Sequence, residues 1–488
     1  MSERLVMLAL IVPFAGALVI PLFGRRPNLR ETMTLVAAGV LCAIVWSLLA
    51  PVMAGARPEL SIVEVLPGIA LALKVEPLGL LFALVASSLW IVNSVYSIGY
   101  MRANDEPRQT GFYVCFAVAL GSTIGVAFAK NLFTLFLFYE ALTLSTYPLV
   151  AHRQDMEAVR AGRLYLLLLL GTSLVLFLPA IIATWTIAGT LDFTPGGILG
   201  GKAGAPIISA LLALYVFGIG KAAVMPLHFW LPAAMVAPTP VSALLHAVAV
   251  VKAGVFAVTK VAIYVFGIET LTRGGANEWL IYVASSSLLL AAFIALSLND
   301  LKARLAYSTV SQLAYVVVGA ALANASSIIG SGLQIATHAA GKITLFFCAG
   351  AIYVAHHKTQ VSELTGIGRR MPVTMLAFLV GSLSIIGLPP FAGTWSKWTL
   401  SLGALEAGHA IVAAVLMLSS LLSVAYLLPI VARAFFPPAL AAQSDKTEIA
   451  EAPIPCLIAL SSTALLCLVL FFYAGRLEML LEGLFPPR

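Results

Sequence analysis

The sequence has little charge and little polar surface to offer. Only 10% of its 488 residues are charged, whereas 61% are hydrophobic, and the mean hydropathy is +1.02. A water-soluble chain of this length would need many more polar residues to cover its core. The composition therefore excludes a soluble globular protein and predicts an integral membrane protein in contact with the lipid bilayer.

Cysteines and clustered ligands are also scarce. The five cysteines all fall in apolar runs and form no C-x-x-C pair, which excludes a zinc ribbon and a disulfide framework. No histidine is accompanied by a cysteine or a group of carboxylates, so no metal site is expected. No stretch resembles a redox-cofactor or nucleotide site, so no cofactor is expected. The formal charge of +7 comes from scattered residues rather than a basic block, which does not indicate nucleic-acid binding.

Apolar runs of about 20 residues, long enough to cross ~30 Å of hydrocarbon as a helix, recur along the whole chain. Runs such as 164–182 do not alternate with period two, so helices and not a β-barrel are predicted. The fold expected is an all-α polytopic membrane protein of one membrane domain, 1–488. Its 14 predicted spans are 4–22, 32–53, 77–100, 111–129, 131–151, 162–188, 207–236, 241–266, 279–298, 303–322, 328–355, 372–403, 409–436 and 454–475.

Lysines and arginines are distributed unequally between alternate loops. One set of loops carries 15, including Lys446, and the other set, with both termini, carries eight, including Arg488. Because cytoplasmic loops are enriched in positive charge, the first set is predicted to be cytoplasmic. Both termini are then expected on the non-cytoplasmic side of the cell membrane.

Six lysine and glutamate residues remain inside the predicted spans. Each costs at least ~2.5–3.5 kcal/mol near the middle of the membrane, so a chain that retains six must use them. For Lys260, which lies near a span end, snorkelling and structural pairing both stay open. The others are Glu140, Lys221, Lys252, Lys342 and Lys397. Burial favours the neutral forms of lysine and glutamate, which lets such groups exchange protons near neutral pH.

Two histidines accompany these lysines. His246 lies on the same span as Lys252, and His338 precedes Lys342 by four residues, which places that pair on one helix face. A single such histidine is commonly structural, but two His/Lys pairs in apolar spans indicate a proton relay.

Prolines mark two places where a span is predicted to break. Pro226 follows Lys221 in GKAAVMPLHFWLP, and Pro389 and Pro390 precede Lys397 in GLPPFAG. Interior prolines remove a backbone hydrogen bond, and broken helices in corresponding repeats indicate a transporter's binding site. His228 and Trp230 beside the first break are either a gate or an anchor for the half-helix.

The two breaks also predict an internal repeat. Spans four to eight, residues 111–268, and spans nine to thirteen, residues 279–436, are expected to be equivalent, each with its third span broken. Five spans per unit is an odd number, so the second unit must be inverted in the membrane. Residues 1–110 would form three leading helices, and residues 437–488 a loop and the last helix.

Five motifs together resemble a known family. They are FYEALTL, FWLPAAMVAPTPVSALLHAVAVVKAGVF, LKARLAYSTVSQLAYV, THAAGKITLFFCAGAIY and SIIGLPPFAGTWSKW, in that order within residues 75–435. They resemble the antiporter-like subunits shared by complex I, membrane-bound hydrogenases and Mrp-type cation/proton antiporters, and most of all the D subunit of Mrp. Ala233 and Val236 depart from the family pattern, which has acidic residues at those positions.

The resemblance implies roles for individual residues. Glu140 and Lys221 would form the charged pair where protons enter the first unit. Lys252, with His246 beside it, would connect that pair through His338 and Lys342 to the second unit. Lys397 would be the residue on the exit side.

The function expected is monovalent cation (Na⁺)/H⁺ antiport by one subunit of a hetero-oligomeric membrane complex. Such a protein is not an enzyme but part of an ion transporter, and its partners are other membrane subunits. One alternative is a proton-pumping subunit of a redox complex, such as complex I or a hydrogenase. A second alternative is a scaffold whose buried charges only fix helix packing.

Overall fold

Long helices dominate the computed structural model, which describes residues 2–436 and 448–485. Within these ranges, 12 helices are long and apolar enough to cross a membrane, and two shorter apolar helices accompany them. The helices used below are α1 Ser2–Phe23, α2 Pro27–Met53, α3 Pro77–Ala103, α4 Gln109–Ala127, α5 Leu132–Val150, α6 Met156–Ala188, α7 Ala205–Gly218, α8 Thr239–Phe266, α9 Glu278–Ser297, α10 Leu301–Leu322, α11 Ala325–His356, α12 Pro372–Ile386, α13 Gly393–Glu406, α14 Ala410–Phe435 and α15 Ile454–Glu482. The helical membrane architecture predicted from hydropathy is confirmed.

Two predicted spans are broken, as expected from their prolines. The first ends as α7 at Gly218, continues through a tight turn, Gly220–Ala222, and resumes as the short helix Trp230–Ala233. The second is divided between α12 and α13. Each break lies in the fourth span of its five-span group, so the expectation of a broken third span was wrong. The reason is that three membrane helices precede the proline-containing span in each group, namely α4 to α6 and α9 to α11.

The centre of the protein is formed by α8 and α11. The most apolar stretch of each is completely buried by the rest of the protein, whereas most residues in the corresponding stretches of α1 and α2 are not buried. Helices that carry lysine in their interior therefore lie where other helices, and not lipid, supply the surroundings. This position makes a polar interior path possible.

A β-hairpin lies between α2 and α3 and was not predicted. Strand β1, Glu59–Leu66, pairs antiparallel with β2, Ile69–Lys74, with Glu59 opposite Lys74. The alternation in ELSIVEVL and the following Pro-Gly turn were the available signal. In so apolar a chain, a short alternating segment is easily overlooked beside runs of 20 residues.

Residues 437–447 and 486–488 lie outside the described part of the chain. Lys446 and Arg488, which entered the count of loop charges, are therefore outside the described residues.

Candidate functional site

Lys221 lies inside the first helix break and is fully buried. Its amine donates to the backbone carbonyl of Tyr139 at 2.8 Å and to Oγ1 of Thr143 at 2.5 Å, both on α5. The Tyr139 ring lies 3.1 Å from the amine, and its hydroxyl accepts a hydrogen bond from the Lys221 backbone at 3.1 Å. The break thus places a buried amine against a hydroxyl, a carbonyl and an aromatic face, all of which stabilise an ammonium group.

The close approach of α8 depends on a glycine at the break. A Cβ on Gly254 would lie 2.3 Å from the backbone of Lys221 and Ala222. Gly254 follows Lys252 by two residues. Because position 254 has no side chain, the segment that carries Lys252 can pack closely against the segment that carries Lys221.

Glu140 lies on α5 between the two residues that bind Lys221. Its two carboxylate oxygens are buried and have no hydrogen-bond partner among the described residues. The described contacts of the Lys221 amine do not include Glu140, and the charged pair implied by the resemblance stays a prediction. Lys221 instead bonds the residue before Glu140 and the residue three positions after it.

Trp230 and His228 beside the first break have different surroundings. Trp230 is fully buried and donates from Nε1 to the carbonyl of Gly220 at 3.0 Å. This bond gives a hydrogen-bond partner to a carbonyl that the helix break would otherwise leave unpaired, which supports the anchoring role. The His228 ring lies 4.2 Å from Phe229 and 5.7 Å from Tyr307, measured between ring centroids, and Pro226 is exposed.

Lys252 and His338 are brought together at the centre. The Lys252 amine is in direct hydrogen-bonding contact with Nδ1 of His338, and both side chains are buried. This contact joins α8 to α11, which belong to the two predicted five-helix units. The predicted connection between the units therefore has a physical counterpart in the structure.

His246 lies on α8 together with Lys252, as expected. It lies in a π-helical turn, Leu244–Val248, and its ring packs 4.6 Å from Phe346, measured between centroids. Both ring nitrogens are buried without a partner among the described residues. A single π turn inside a helix is common at functional sites, and no sequence pattern indicated one here.

Lys342 repeats the arrangement of Lys221. Its amine donates to the carbonyl of Leu305 at 3.1 Å and to Oγ of Ser308 at 2.6 Å, both on α10. Ser308 in turn is bonded to the hydroxyl of Tyr426 at 2.9 Å. A buried lysine therefore again has a backbone carbonyl and a hydroxyl as its partners.

Lys397 lies one turn into α13, just after the second break. Its amine donates to the carbonyl of Ile386, the last residue of α12, at 3.1 Å and to Oγ of Ser420 at 2.9 Å. Gly387 ends α12 with a φ of +89°, a conformation that favours glycine. The turn that contains Pro389 and Pro390 leaves a free helix-end carbonyl that accepts this bond.

A chain of hydrogen-bonded neutral side chains joins α10, α11 and α13. The hydroxyl of Thr337 lies 3.1 Å from that of Ser396, which donates to Gln334 at 2.6 Å. Gln334 donates to Gln312 at 2.9 Å. Thr337 and Ser396 directly precede His338 and Lys397 in the sequence, and the sequence analysis missed this chain of hydrogen bonds.

Lys260 is paired and does not snorkel. Its amine lies 3.2 Å from Glu76 and donates to the carbonyl of Ala129 at 2.7 Å. Of the two interpretations left open by the sequence, pairing is the correct one.

The family profile described as "NADH:quinone oxidoreductase/Mrp antiporter, TM" matches residues 129–423. The chain belongs to this antiporter-like family. The matched range begins before Glu140 and ends after Lys397, so it contains every residue predicted to handle protons. It leaves out α1 to α4 and α15.

Curated relatives come from more than one kind of complex. The chain is 32% identical over 465 residues to NADH-quinone oxidoreductase subunit N of Desulforudis audaxviator, covering 93% of this chain and 90% of that protein. It is 30% identical over 403 residues to part of a probable K⁺/H⁺ antiporter of Rhizobium meliloti, covering 81% of this chain but only 39% of that longer protein. The antiporter-like chain is thus similar to components of several membrane complexes.

A solved structure shares the fold. A chain of the Mrp complex from Dietzia sp. superposes with a TM-score of 0.87 at 21% identity, covering 99% of this chain and 96% of that one. Such a likeness shows that the antiporter-like fold extends over the whole chain, including the helices outside the matched profile.

Three of the four buried lysines in the candidate site of this antiporter-like chain have the same kinds of hydrogen-bond partner. Lys221, Lys342 and Lys397 each bind one backbone carbonyl and one hydroxyl, while Lys252 binds an imidazole. Hydroxyls and imidazole can both accept and donate, so they can pass a proton as well as hold an ammonium group. Sequence patterns identified the lysines because charge stands out in an apolar span, but gave no sign of these partners.

Proposed function

We propose that the protein is the proton-translocating, Mrp-type subunit of a membrane complex that exchanges a monovalent cation, such as Na⁺, for H⁺. The observation that carries this proposal is the Lys252–His338 contact between α8 and α11. It lies within a series of buried ionisable groups that begins at Glu140 and Lys221 and ends at Lys397. In this role the protein transports ions and performs no catalysis of its own.

The first step would be a change of partner at Lys221. Its amine is held by the carbonyl of Tyr139 and the hydroxyl of Thr143, while the Glu140 carboxylate beside them stays without a partner in the described structure. At an effective dielectric constant of ~20, moving two opposite charges from 4 Å to about 8 Å changes their interaction by ~2 kcal/mol. This change shifts a protonation equilibrium by more than tenfold, which is enough to transfer a proton onward.

The second step would pass a proton across the centre. Nδ1 of His338 is in hydrogen-bonding contact with the Lys252 amine, and Lys342 follows on the same face of α11. From there, the hydroxyls of Thr337 and Ser396 lead toward Lys397. Water between these groups would complete the path where no direct bond is present.

The direct test compares proton flux in the assembled complex carrying Lys221→Ala or Glu140→Ala with that of the unaltered complex. Both variants are expected to lose flux, and Lys202→Ala is the matched control because Lys202 is exposed. Near-normal flux in both Lys221→Ala and Glu140→Ala would refute the proposal. A scaffold would instead lose assembly in the lysine variants and keep full flux in the complexes that do assemble.

A second candidate function is proton pumping within a redox complex. It is favoured by the relative from Desulforudis audaxviator, whose name is that of an NADH-quinone oxidoreductase component and whose length is almost fully covered. Purification from the native membrane separates the two candidates. Small membrane subunits would co-purify with an antiporter, whereas iron-sulfur or flavin subunits would co-purify with a redox complex.

The proposed orientation places both termini on the non-cytoplasmic side of the cell membrane. It rests on the unequal distribution of loop lysines and arginines. The test of this orientation uses single cysteines at the exposed positions 202 and 362. Each variant is treated with an impermeant thiol reagent in sealed vesicles. Position 202 should react only from the non-cytoplasmic side and position 362 only from the other.

The division into two inverted units, 111–268 and 279–436, is also part of the proposal. It is supported by the similar placement of the two helix breaks, each beside a lysine that bonds a backbone carbonyl and a hydroxyl.

A further inference from the structure

Glu76 and Lys260 form a buried ion pair outside the series of residues described above. The Lys260 amine lies 3.2 Å from the Glu76 carboxylate, and the two side chains are only 1% and 5% exposed, Lys260 first. Glu76 directly precedes Pro77, the first residue of α3, whereas Lys260 lies near the end of α8. The pair therefore joins the central helix to the segment that follows the β-hairpin.

The ion pair is continuous with the surface on the side of the β-hairpin. The amine of Lys74, the last residue of β2, lies 3.8 Å from Oε1 of Glu76, and the Lys74 side chain is 22% exposed. Glu76 thus has a buried lysine on one side and a partly exposed lysine on the other. A single carboxylate therefore lies between the buried amine and a partly exposed one.

A carbonyl and aromatic rings complete the surroundings of the Lys260 amine. The carbonyl of Ala129 accepts from the amine at 2.7 Å, and the centroids of the Phe193 and Phe256 rings lie 4.7 and 5.7 Å away. These groups stabilise the ammonium form without neutralising it. Glu76 is the only charged partner within ion-pair distance of Lys260 in the described residues.

Stability does not explain why such a pair is present. The cost of burying two charges commonly exceeds the energy gained from their attraction, and apolar residues of similar volume are frequently as good or better. Replacing both Glu76 and Lys260 by apolar residues of similar volume is therefore expected to cost little stability. A functional use of the charges is the better explanation.

We propose that Glu76 and Lys260 form a proton-exchange site that connects the first five-helix unit with the side of the membrane on which the β-hairpin lies. The proposal rests on the proposed proton translocation. It adds a second route by which protons leave the protein, called the outlet below, in parallel with the route through Lys397. Lys252 and Lys260 are eight residues apart on α8, about 12 Å along the helix axis and on neighbouring faces. Water beside the Thr259 hydroxyl would bridge this distance.

The outlet is tested by proton flux in membrane vesicles that contain the assembled complex. A pH gradient is imposed and its dissipation on addition of NaCl or KCl is recorded for Glu76→Gln, Lys397→Ala and the double variant. Glutamine preserves the size of Glu76 and an oxygen for Lys260 but carries no exchangeable carboxyl proton. Each single variant is expected to lose part of the flux, and the double variant is expected to lose all of it, because parallel routes add.

The matched control is Lys130→Gln. Lys130 lies on the same side of the protein, where its hydrogen bond to Glu59 raises its pKa above the usual value and keeps it a fixed cation. Its replacement is expected to leave the flux unchanged. Wild-type flux in Glu76→Gln, with the double variant no worse than Lys397→Ala, would overturn the outlet. Retained flux in Lys221→Ala would instead overturn the proposed function.

A second measurement uses the unaltered complex, so that it does not depend on the variant's assembly. Dicyclohexylcarbodiimide reacts with protonated carboxyl groups, and mass spectrometry locates the modified residue. A carboxylate that carries protons becomes protonated during transport, whereas a permanent ion pair does not. Modification of Glu76 that increases during transport is expected, and its absence would overturn the proposal.

Discussion

The amine of Lys252 contacts Nδ1 of His338 across the interface of α8 and α11. These two helices are wholly enclosed by the rest of the protein. Their contact is the point at which two buried series of ionisable residues meet, and four predictions test its surroundings and the residues that lead to it.

The first prediction concerns His338→Asn. The asparagine oxygen lies near the position of Nδ1 and can still accept from Lys252, but the side chain does not titrate. Assembly is expected to be retained and proton flux lost, as measured in vesicles. His357→Asn is the control, because His357 is exposed and its φ of +53° is well tolerated by asparagine. Equal flux in the two variants would show that His338 is structural.

The second prediction concerns Thr143→Val, which removes the hydroxyl partner of the Lys221 amine. A hydrogen bond to a charged group is worth about 1.5–3 kcal/mol, so the thermal midpoint of the purified complex is expected to fall. Thr186→Val should leave the midpoint unchanged, since the Thr186 hydroxyl is exposed and bonds only its own helix. No difference between the two variants would mean that Lys221 does not depend on Thr143.

The third prediction concerns Glu140→Gln. Because the Glu140 carboxylate has no hydrogen-bond partner in the described structure, replacing it by the glutamine amide should lower the free energy of unfolding only slightly. The complex is expected to assemble with an unchanged thermal midpoint and to lose proton flux. Glu269→Gln, at an exposed position, should change neither quantity. Flux at the control level in Glu140→Gln would remove Glu140 from the path.

The fourth prediction concerns Gly254→Ala. The added methyl group would meet the backbone of Lys221 at 2.3 Å, and backbone cannot move aside as a flexible side chain can. Overpacking of this kind costs about 1–3 kcal/mol, so a lower thermal midpoint and a lower flux are expected.

Gly171→Ala provides the comparison for that variant. Gly171 is also in a membrane helix, but a Cβ there meets no atom within 4 Å. Alanine is a better helix former than glycine by about 1 kcal/mol, so the thermal midpoint of the Gly171→Ala variant should stay the same or rise. A fall as large as that of Gly254→Ala would contradict the argument from close approach.

The positions of the spans and of the buried charges could be predicted from the sequence. Hydropathy summed over about 20 residues is a local quantity, and a lysine such as Lys342 stands out in an apolar run whatever its neighbours in space. The i, i+4 spacing of His338 and Lys342 likewise places both on one face of α11 without further information.

The partners of those charges could not be predicted. Thr143 and Ser308 are unremarkable in sequence and lie 78 and 34 residues from the lysines they bind. The π turn that carries His246 and the carbonyl of Ile386 that receives Lys397 also depend on how distant helices meet. The Glu140–Lys221 charged pair implied by the resemblance stays a prediction, and the hydrogen bonds of the Lys221 amine to Tyr139 and Thr143 were not foreseen.

The sequence by itself determined which segments are apolar enough to enter the membrane, where two of them break and which of them carry a lysine or glutamate in their interior, because each depends on the free energy of a short stretch of chain. Only the tertiary structure decided what each buried group touches: Lys260 meets Glu76, and Lys252 meets His338. These contacts join segments far apart in the chain. They depend on the packing of whole helices, which no local pattern specifies.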